Sequence, residues 1–338
     1  MRTELASILL RGRENSVFSA AAWSVGTADT VLDRGLLGTR WHGGPAVSEH
    51  SRWDLASVTK PVVGIVVAAL AERGLLSFDD PLPRHLPSYA GGDKSAITVR
   101  QLLTHTSGLP GGTPLWRTHQ TREALLEAIR TGPLRSAPGT RVEYSSQGFV
   151  LLGLIASAAS GRPLDELVAE FVCRPAGLDA TTFGPVPDAV ATEECPWRGR
   201  VVCGEVHDEN AVVLGGICGH AGLFSTLGDI ERLGQVLAGG AAELLAPASH
   251  KAMITCHTAS LGLRRGLAWQ GLDVPGSPVG TALAPDAFGH TGFTGTSLFV
   301  EPGRGRYYVL LTNRVHPSRT TPGIETVRRE FHEHATTL

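Results

Sequence analysis

The stretch DLASVTKPVVGIVVAAL, residues 54–70, decides how the rest of the chain is read. Ser57 and Lys60 stand three apart, and residues three apart share a helix face. Leu55, Val58, Val62, Val66 and Leu70 keep a helical rhythm behind them. Pro61 falls in the first turn, where its missing N–H is tolerated. Asp54 or Ser57 is the expected N-cap. Ser57 and Lys60 are thus either a nucleophile with its base or the polar start of a buried helix.

A serine hydroxyl needs an adjacent base to act as a nucleophile. Desolvation or neighbouring charge can prepare a lysine for that work. A helix N-terminus adds free N–H groups and a positive dipole end, which suit a developing oxyanion. Alone, a Ser-x-x-Lys match arises by chance roughly once in a chain of this size. It is the only such match here, in a chain whose lysines are Lys60, Lys94 and Lys251.

Composition narrows the classes. Among 338 residues, 42% are hydrophobic and 18% charged, enough apolar material for a substantial core. A formal net charge of −2, with no basic domain, argues against nucleic acid as the main partner. No window approaches the ~18 consecutive apolar residues of a membrane helix. Leu5 to Leu10 is short for a signal-peptide core and no small-residue cleavage site follows. Cys173, Cys195, Cys203, Cys218 and Cys256 are scattered and odd in number, as expected of reduced thiols. The expectation is a cytoplasmic protein.

Strand-like runs cover Val17 to Val25 and Val31 to Leu37, and again Gly266 to Gln270, Thr296 to Glu301 and Tyr307 to Thr312. Between them the pattern is helical: Thr98 to His105, Arg122 to Thr131, Gln147 to Ser160, Leu164 to Phe171 and Gly228 to Leu237. Ile324 to His334 closes the chain as an amphipathic helix. The expected fold class is α+β: one antiparallel sheet from both termini, flanked by helices, with an inserted α-rich lobe. A single domain of 1–338 follows, with an α/β lobe of about 1–75 and 262–338 and an α-rich lobe of about 76–261. The cleft between them is the default site.

Two further stretches change the weight of Ser57 and Lys60. VEYSSQGFVLLG puts Tyr144, Ser145 and Ser146 before a buried helix, and FGHTGFTGTSLFVEP puts His290, Thr291 and Gly292 at the start of an expected strand. In this order the three motifs resemble the penicillin-recognising serine hydrolases, the superfamily of class C β-lactamases, DD-peptidases and related serine esterases. GLLSFDDPLPRHLPSY, ITVRQLLTHTSGLPG, GHAGLFSTLGDIERLGQVL and LTNRVHPSR extend the resemblance over nearly the whole chain, and with it a β-lactamase-like fold. It implies Ser57 as the acylated nucleophile, with Lys60 and Tyr144 sharing general-base and general-acid work. It implies the N–H groups of Ser57 and Phe293 as the oxyanion hole, with Ser146, His290, Thr291 and Gly292 against the substrate.

The departures from the pattern carry information. His290 replaces a lysine, and a neutral imidazole is a poor partner for the carboxylate of β-lactams and peptidoglycan stems. Ser146 replaces an asparagine that contacts an acyl-amide side chain. Both point toward esterase-type or acyltransferase relatives. The expected activity is a serine hydrolase or acyltransferase on an ester or amide of a small molecule, with water, an amine or an alcohol as acceptor. A β-lactamase or DD-peptidase and an inactive ligand-binding relative are the alternatives. No cofactor is expected.

Weaker constellations remain. Cys203, His207, Cys218 and His220 do not have structural-zinc spacing. The expectation is no metal, a polar loop at 207–210 near the cleft, and Cys203 and Cys218 as small buried hydrophobes. HTSGLPGG, residues 105–112, lacks a phosphate loop's ending and is expected as a turn beside the site. For Trp53, Trp116 and Trp197, core packing is favoured over lining an acyl pocket.

Overall fold

Side chains alternate across a strand, so a strand covered on both faces must be apolar at every position. Most runs at both ends of this chain have that character, though the edge run Val31–Gly38, with Asp33 and Arg34, is only partly buried. In the computed structural model, which describes residues 3–273 and 276–338, they build one six-stranded antiparallel sheet. Its spatial order is Val31–Gly38, Ala20–Thr27, Arg306–Thr312, Ser297–Glu301, Phe288–Thr291 and Gln270–Gly271. The register sets Trp23 opposite Leu310 and Ser297 opposite Thr291.

Alternate residues feed separate cores. Ala20, Ala22, Leu298, Val300, Tyr307, Val309 and Leu311 face the larger one. Ala21, Trp23, Val25, Phe299, Tyr308 and Leu310 face a smaller one, closed by Leu5, Ile8 and Leu9 of the helix Glu4–Glu14 and by Val327 and Phe331 of the helix Ile324–Ala335. On the larger face lies the helix Leu227–Ala238, where Gly234 lets the Tyr307 ring meet the helix backbone; a Cβ there would lie 2.9 Å from that ring. This helix sits within the expected α-rich lobe yet packs on the sheet.

Two expected elements differ. Gly266 to Gln270 is a tight turn leading into the short strand Gln270–Gly271, because Gly266 N–H bonds the Trp269 carbonyl and Ala268 takes a φ of +69°. His290 and Thr291 end their strand, Phe288–Thr291, and do not begin one. The helix after Ser57, Thr59–Glu72, is buried on every side from Thr59 to Leu70, so its apolar rhythm marks a central helix. No helix among the described residues is long and apolar enough to cross a membrane.

Candidate active site

The chain reaches Ser57 through an elbow. Strand Trp53–Asp54 pairs with Leu223–Ser225, and Ala56 then takes a φ of +47°. A left-handed conformation costs a non-glycine residue roughly 1–2 kcal/mol. Ser57 occupies a 3-10 turn, Ala56–Val58, and Lys60 is the second residue of the helix Thr59–Glu72. Neither Asp54 nor Ser57 caps that helix; its N-cap is Val58, with no side-chain bond. Asp54 holds the elbow instead, accepting from Ala56 N–H at 2.8 Å and from His207 N–H at 2.7 Å. Burial pushes its carboxyl up, against the pull of those two donors.

Ser57 Oγ is the meeting point. It accepts from Lys60 Nζ at 2.9 Å and from Tyr144 OH at 2.8 Å. Lys60 is 0% exposed, and its Nζ also donates to the His220 carbonyl at 3.1 Å. Lys60 Nζ stands 4.8 Å from the Tyr144 ring centroid.

Tyr144 comes from the extended chain ahead of the helix Ser146–Ser160. Extended residues alternate. Tyr144 and Ser146 line cavities at Ser57, while Ser145 points away and donates to the Pro110 carbonyl at 2.8 Å. His105, at a φ of +58°, accepts the Ser145 N–H on Nδ1 at 3.1 Å and lies 4.6 Å from the Tyr144 ring. Burial, reinforced by Lys60, holds His105 well below the usual imidazole range. Its neutral ring is therefore an acceptor that fixes Tyr144.

The third wall is the turn after Thr291. Thr294 Oγ1 donates to the Asp54 carbonyl at 2.7 Å and Thr296 Oγ1 to the Leu55 carbonyl at 3.0 Å. The elbow and the turn are thereby bolted together. Phe293 N–H has no hydrogen-bond partner among the described residues. The elbow's first turn bond runs from Val58 N–H to the Leu55 carbonyl at 3.0 Å, one residue past Ser57. His290 Nδ1 donates to the Thr291 carbonyl at 2.8 Å. Burial, then Lys60, pushes its pKa down to about 3, so Nε2 is a neutral acceptor where the motif has a lysine.

A cleft of about 250 Å³ opens from Ser57, with Trp116, Leu125, Ile129 and Val150 on its apolar side and His207, Asn210 and Arg319 on its polar side. Pro110 and Gly112 of the 105–112 turn also line it. A second cavity of about 260 Å³, on the Tyr144 side, holds Gln270, His290, Thr291, Gly292, Arg314 and Arg328. Trp53 belongs to the core, as expected, but Trp116 lines the cleft with its ring centroid 5.0 Å from that of Trp197. Cys203 is exposed, not buried, and its thiol donates to the Ala189 carbonyl at 3.4 Å.

A family model described as beta-lactamase matches residues 9–332. The chain belongs to the beta-lactamase family. A relative from Escherichia coli K12, provisionally named a D-alanyl-D-alanine carboxypeptidase, is 31% identical over 307 residues, 80% of this chain and 70% of its own length. Among solved structures, EstCE1, a hydrolase with promiscuous acyltransferase activity, superimposes with a TM-score of 0.77 at 21% identity, over 96% of this chain and 97% of its own. Simvastatin synthase from Aspergillus terreus does so with a TM-score of 0.77 at 20% identity, over 98% and 96%. These likenesses bear on fold. The chain is a member of the serine beta-lactamase family with the β-lactamase-like fold.

The segment 207–210 borders the cleft as expected, though Glu209 and Asn210 open a short helix, Glu209–Val213, capped by Asp208. Arg319 on the cleft wall and His105 behind Tyr144 escape the motif reading. Arg319 Nε donates to Glu193 at 2.7 Å and its NH2 reaches Glu209, while His207 Nε2 contacts Glu193 at 3.0 Å and its ring stacks 5.7 Å from Phe293. Burial opposes the Glu193 charge, but His207 and Arg319 carry its pKa down to about 2. Glu193, Cys195 and Glu209 come close enough to suggest a metal group, yet both carboxylates are already paired with Arg319. The sequence signal for His105 was its place in HTSGLPGG; Arg319 offered none beyond LTNRVHPSR.

Proposed function

We propose that this chain forms a covalent acyl-enzyme at Ser57 and passes the acyl group to water or to an amine or alcohol. One observation carries this reading: Ser57 Oγ is shared by Lys60 Nζ and Tyr144 OH at 2.9 and 2.8 Å. Either group, once deprotonated, lies within proton-transfer distance of the hydroxyl. Ser57 attacks the acyl carbonyl, its proton passes to that base, and the protonated base returns that proton to the departing leaving group. The N–H groups of Ser57 and Phe293 stabilise the oxyanion. The acceptor then enters and the transfers reverse.

The acyl donor is a small ester or amide whose acyl part fills the Trp116 side of the cleft. A neutral acceptor at His290 favours an ester or a neutral amide over a carboxylate-bearing ligand. A second reading, D-alanyl-D-alanine carboxypeptidase, is favoured by Arg314 and Arg328 in the Tyr144-side cavity, where a carboxylate finds cations.

The test is intact mass after a fluorophosphonate and after p-nitrophenyl acetate. A covalent adduct that Ser57→Ala abolishes is expected; no adduct, or one that survives the substitution, sinks the reading. Turnover of an acyl-D-alanyl-D-alanine peptide or nitrocefin faster than that of the ester promotes the second reading. An amide formed from an added amine establishes transfer.

A further inference from the structure

Behind Lys60 stands a second set of chemically complementary side chains that the serine chemistry does not use. Cys218 Sγ lies 3.1 Å from His220 Nδ1, and His220 Nε2 lies 2.9 Å from Asp208 Oδ1. Nucleophile, imidazole and carboxylate are therefore in line, each within hydrogen-bond reach of the next. The segment is pinned: Gly219 presses on the helix Ser146–Ser160, and a Cβ there would meet the Phe149 carbonyl and come within 3.0 Å of Gly153 N. Cys218 and Ala221 close it with a bridge.

The line crosses a wall between two cavities. Asp208 and His220 face the Ser57 cleft. Cys218 faces a separate cavity of about 300 Å³, lined by Leu126, Val150, Leu154 and Leu164 with Arg122 among its polar residues. Ile217, beside Cys218 on that wall, is 40% exposed, so the cavity reaches solvent. Burial opposes charge on His220, but Cys218 and Asp208 raise its pKa to about 10. An imidazolium there donates from Nε2 to the Asp208 carboxylate and sets Nδ1 against the Cys218 sulfur, an electropositive neighbour of the kind that reactive cysteines have.

We propose that Cys218, His220 and Asp208 form a second reactive site, separate from Ser57, in which Cys218 is modified by small electrophiles and peroxides entering through the Leu126–Leu164 cavity. With hydrogen peroxide the Cys218 sulfur attacks one oxygen and the O–O bond breaks. The departing hydroxide takes the His220 Nδ1 proton and leaves as water. Sulfur is oxidised by two electrons to a sulfenic acid, and the peroxide is reduced. The change is felt at the serine, because the His220 carbonyl is an acceptor of Lys60 Nζ.

The full-chain protein is treated with substoichiometric iodoacetamide, or with hydrogen peroxide followed by dimedone, and the cysteines are quantified by peptide mass mapping. Cys203 is exposed and Cys256 partly so, making both the internal standards. Cys218 is expected to react about tenfold faster than either, and fluorophosphonate labelling of Ser57 to slow in step, except in Cys218→Ala. Cys218 reacting no faster than Cys203 and Cys256, or only after unfolding, overturns the proposal. Asp208→Asn should bring Cys218 down to the rate of the standards; an unchanged rate removes the relay. The wild-type comparison decides the matter even where that variant does not fold.

Discussion

Gly292 leaves no room for a side chain against Leu55: a Cβ there would lie 2.6 Å from the Leu55 carbonyl and nearer still to Thr296 Oγ1. The close approach brings the turn bearing Phe293 onto the elbow bearing Ser57. Gly292→Ala is therefore expected to part the two N–H donors. Losing one oxyanion donor costs about 100-fold or more in kcat. Ester turnover falls by that factor while fluorophosphonate still labels Ser57 slowly; wild-type turnover in a folded Gly292→Ala protein would remove Phe293 from the oxyanion role.

Tyr144→Phe deletes one of the two donors on Ser57 Oγ and little else, since the ring keeps its place between His105 and Lys60. Acid–base assistance of this kind is worth roughly 100- to 10,000-fold. We expect kcat/KM for p-nitrophenyl acetate to drop at least about 100-fold with the melting temperature nearly unchanged. A drop of less than about tenfold leaves Lys60 as the sole proton carrier.

Trp116 closes the apolar side of the cleft with Leu125, Ile129 and Val150. Trp116→Ala should lower kcat/KM for hexanoyl or benzoyl esters about tenfold relative to the acetyl ester, the scale of one apolar contact or two. Equal losses across the series would place the acyl group elsewhere.

Arg319 pairs with both Glu193 and Glu209, which are largely buried. Arg319→Met leaves two buried carboxylates facing each other. Breaking a buried pair from one side costs about 3–5 kcal/mol. Chemical denaturation should register a loss of that order; a loss near zero would mean that the network is solvated.

His332 is buried among Phe299, Tyr308 and Phe331, with Nδ1 donating to the Arg328 carbonyl at 2.7 Å. Burial pushes its pKa down to about 3. Its folded pKa lies below the unfolded value near 6.5, so between these limits the unfolded chain binds the extra proton and stability falls as pH falls. From pH 7 to pH 5 the loss from this one group is on the order of 2 kcal/mol. His332→Phe should flatten the acid limb of a stability–pH curve by that amount; a parallel curve refutes the assignment.

Much of this was legible in the primary structure because each motif is local. Ser57 and Lys60 are three residues apart, Tyr144 sits before its helix, and the apolar runs announce strands. Placement was less legible. The reading put Ser57 on an α-helix because periodicity cannot register one positive φ at Ala56, and that angle makes the elbow. It put His290 at the start of a strand because the resembled motif places H-T-G on a strand, whereas the hydroxyls of Thr294 and Thr296 pull the chain into a turn bonded to Asp54 and Leu55. Trp116 and Trp197 were weighted toward the core by composition; which side of a loop faces a cleft is settled by distant partners, here Asn210 accepting the Trp116 N–H at 2.9 Å. Arg319 carried no periodic signal, since its partners Glu193 and Glu209 are 126 and 110 positions away.

The bolt between Thr294 and Asp54 joins residues 240 positions apart, and strand Ala20–Thr27 pairs with Arg306–Thr312. On a ribosome, Ser57, Lys60 and Tyr144 emerge long before the strands that complete the sheet. Ser57 therefore waits without the turn that bears Phe293 until almost the whole chain is made. Reactivity arrives as the last act of folding, and a truncated or stalled product would carry an intact Ser-x-x-Lys motif and no means of using it.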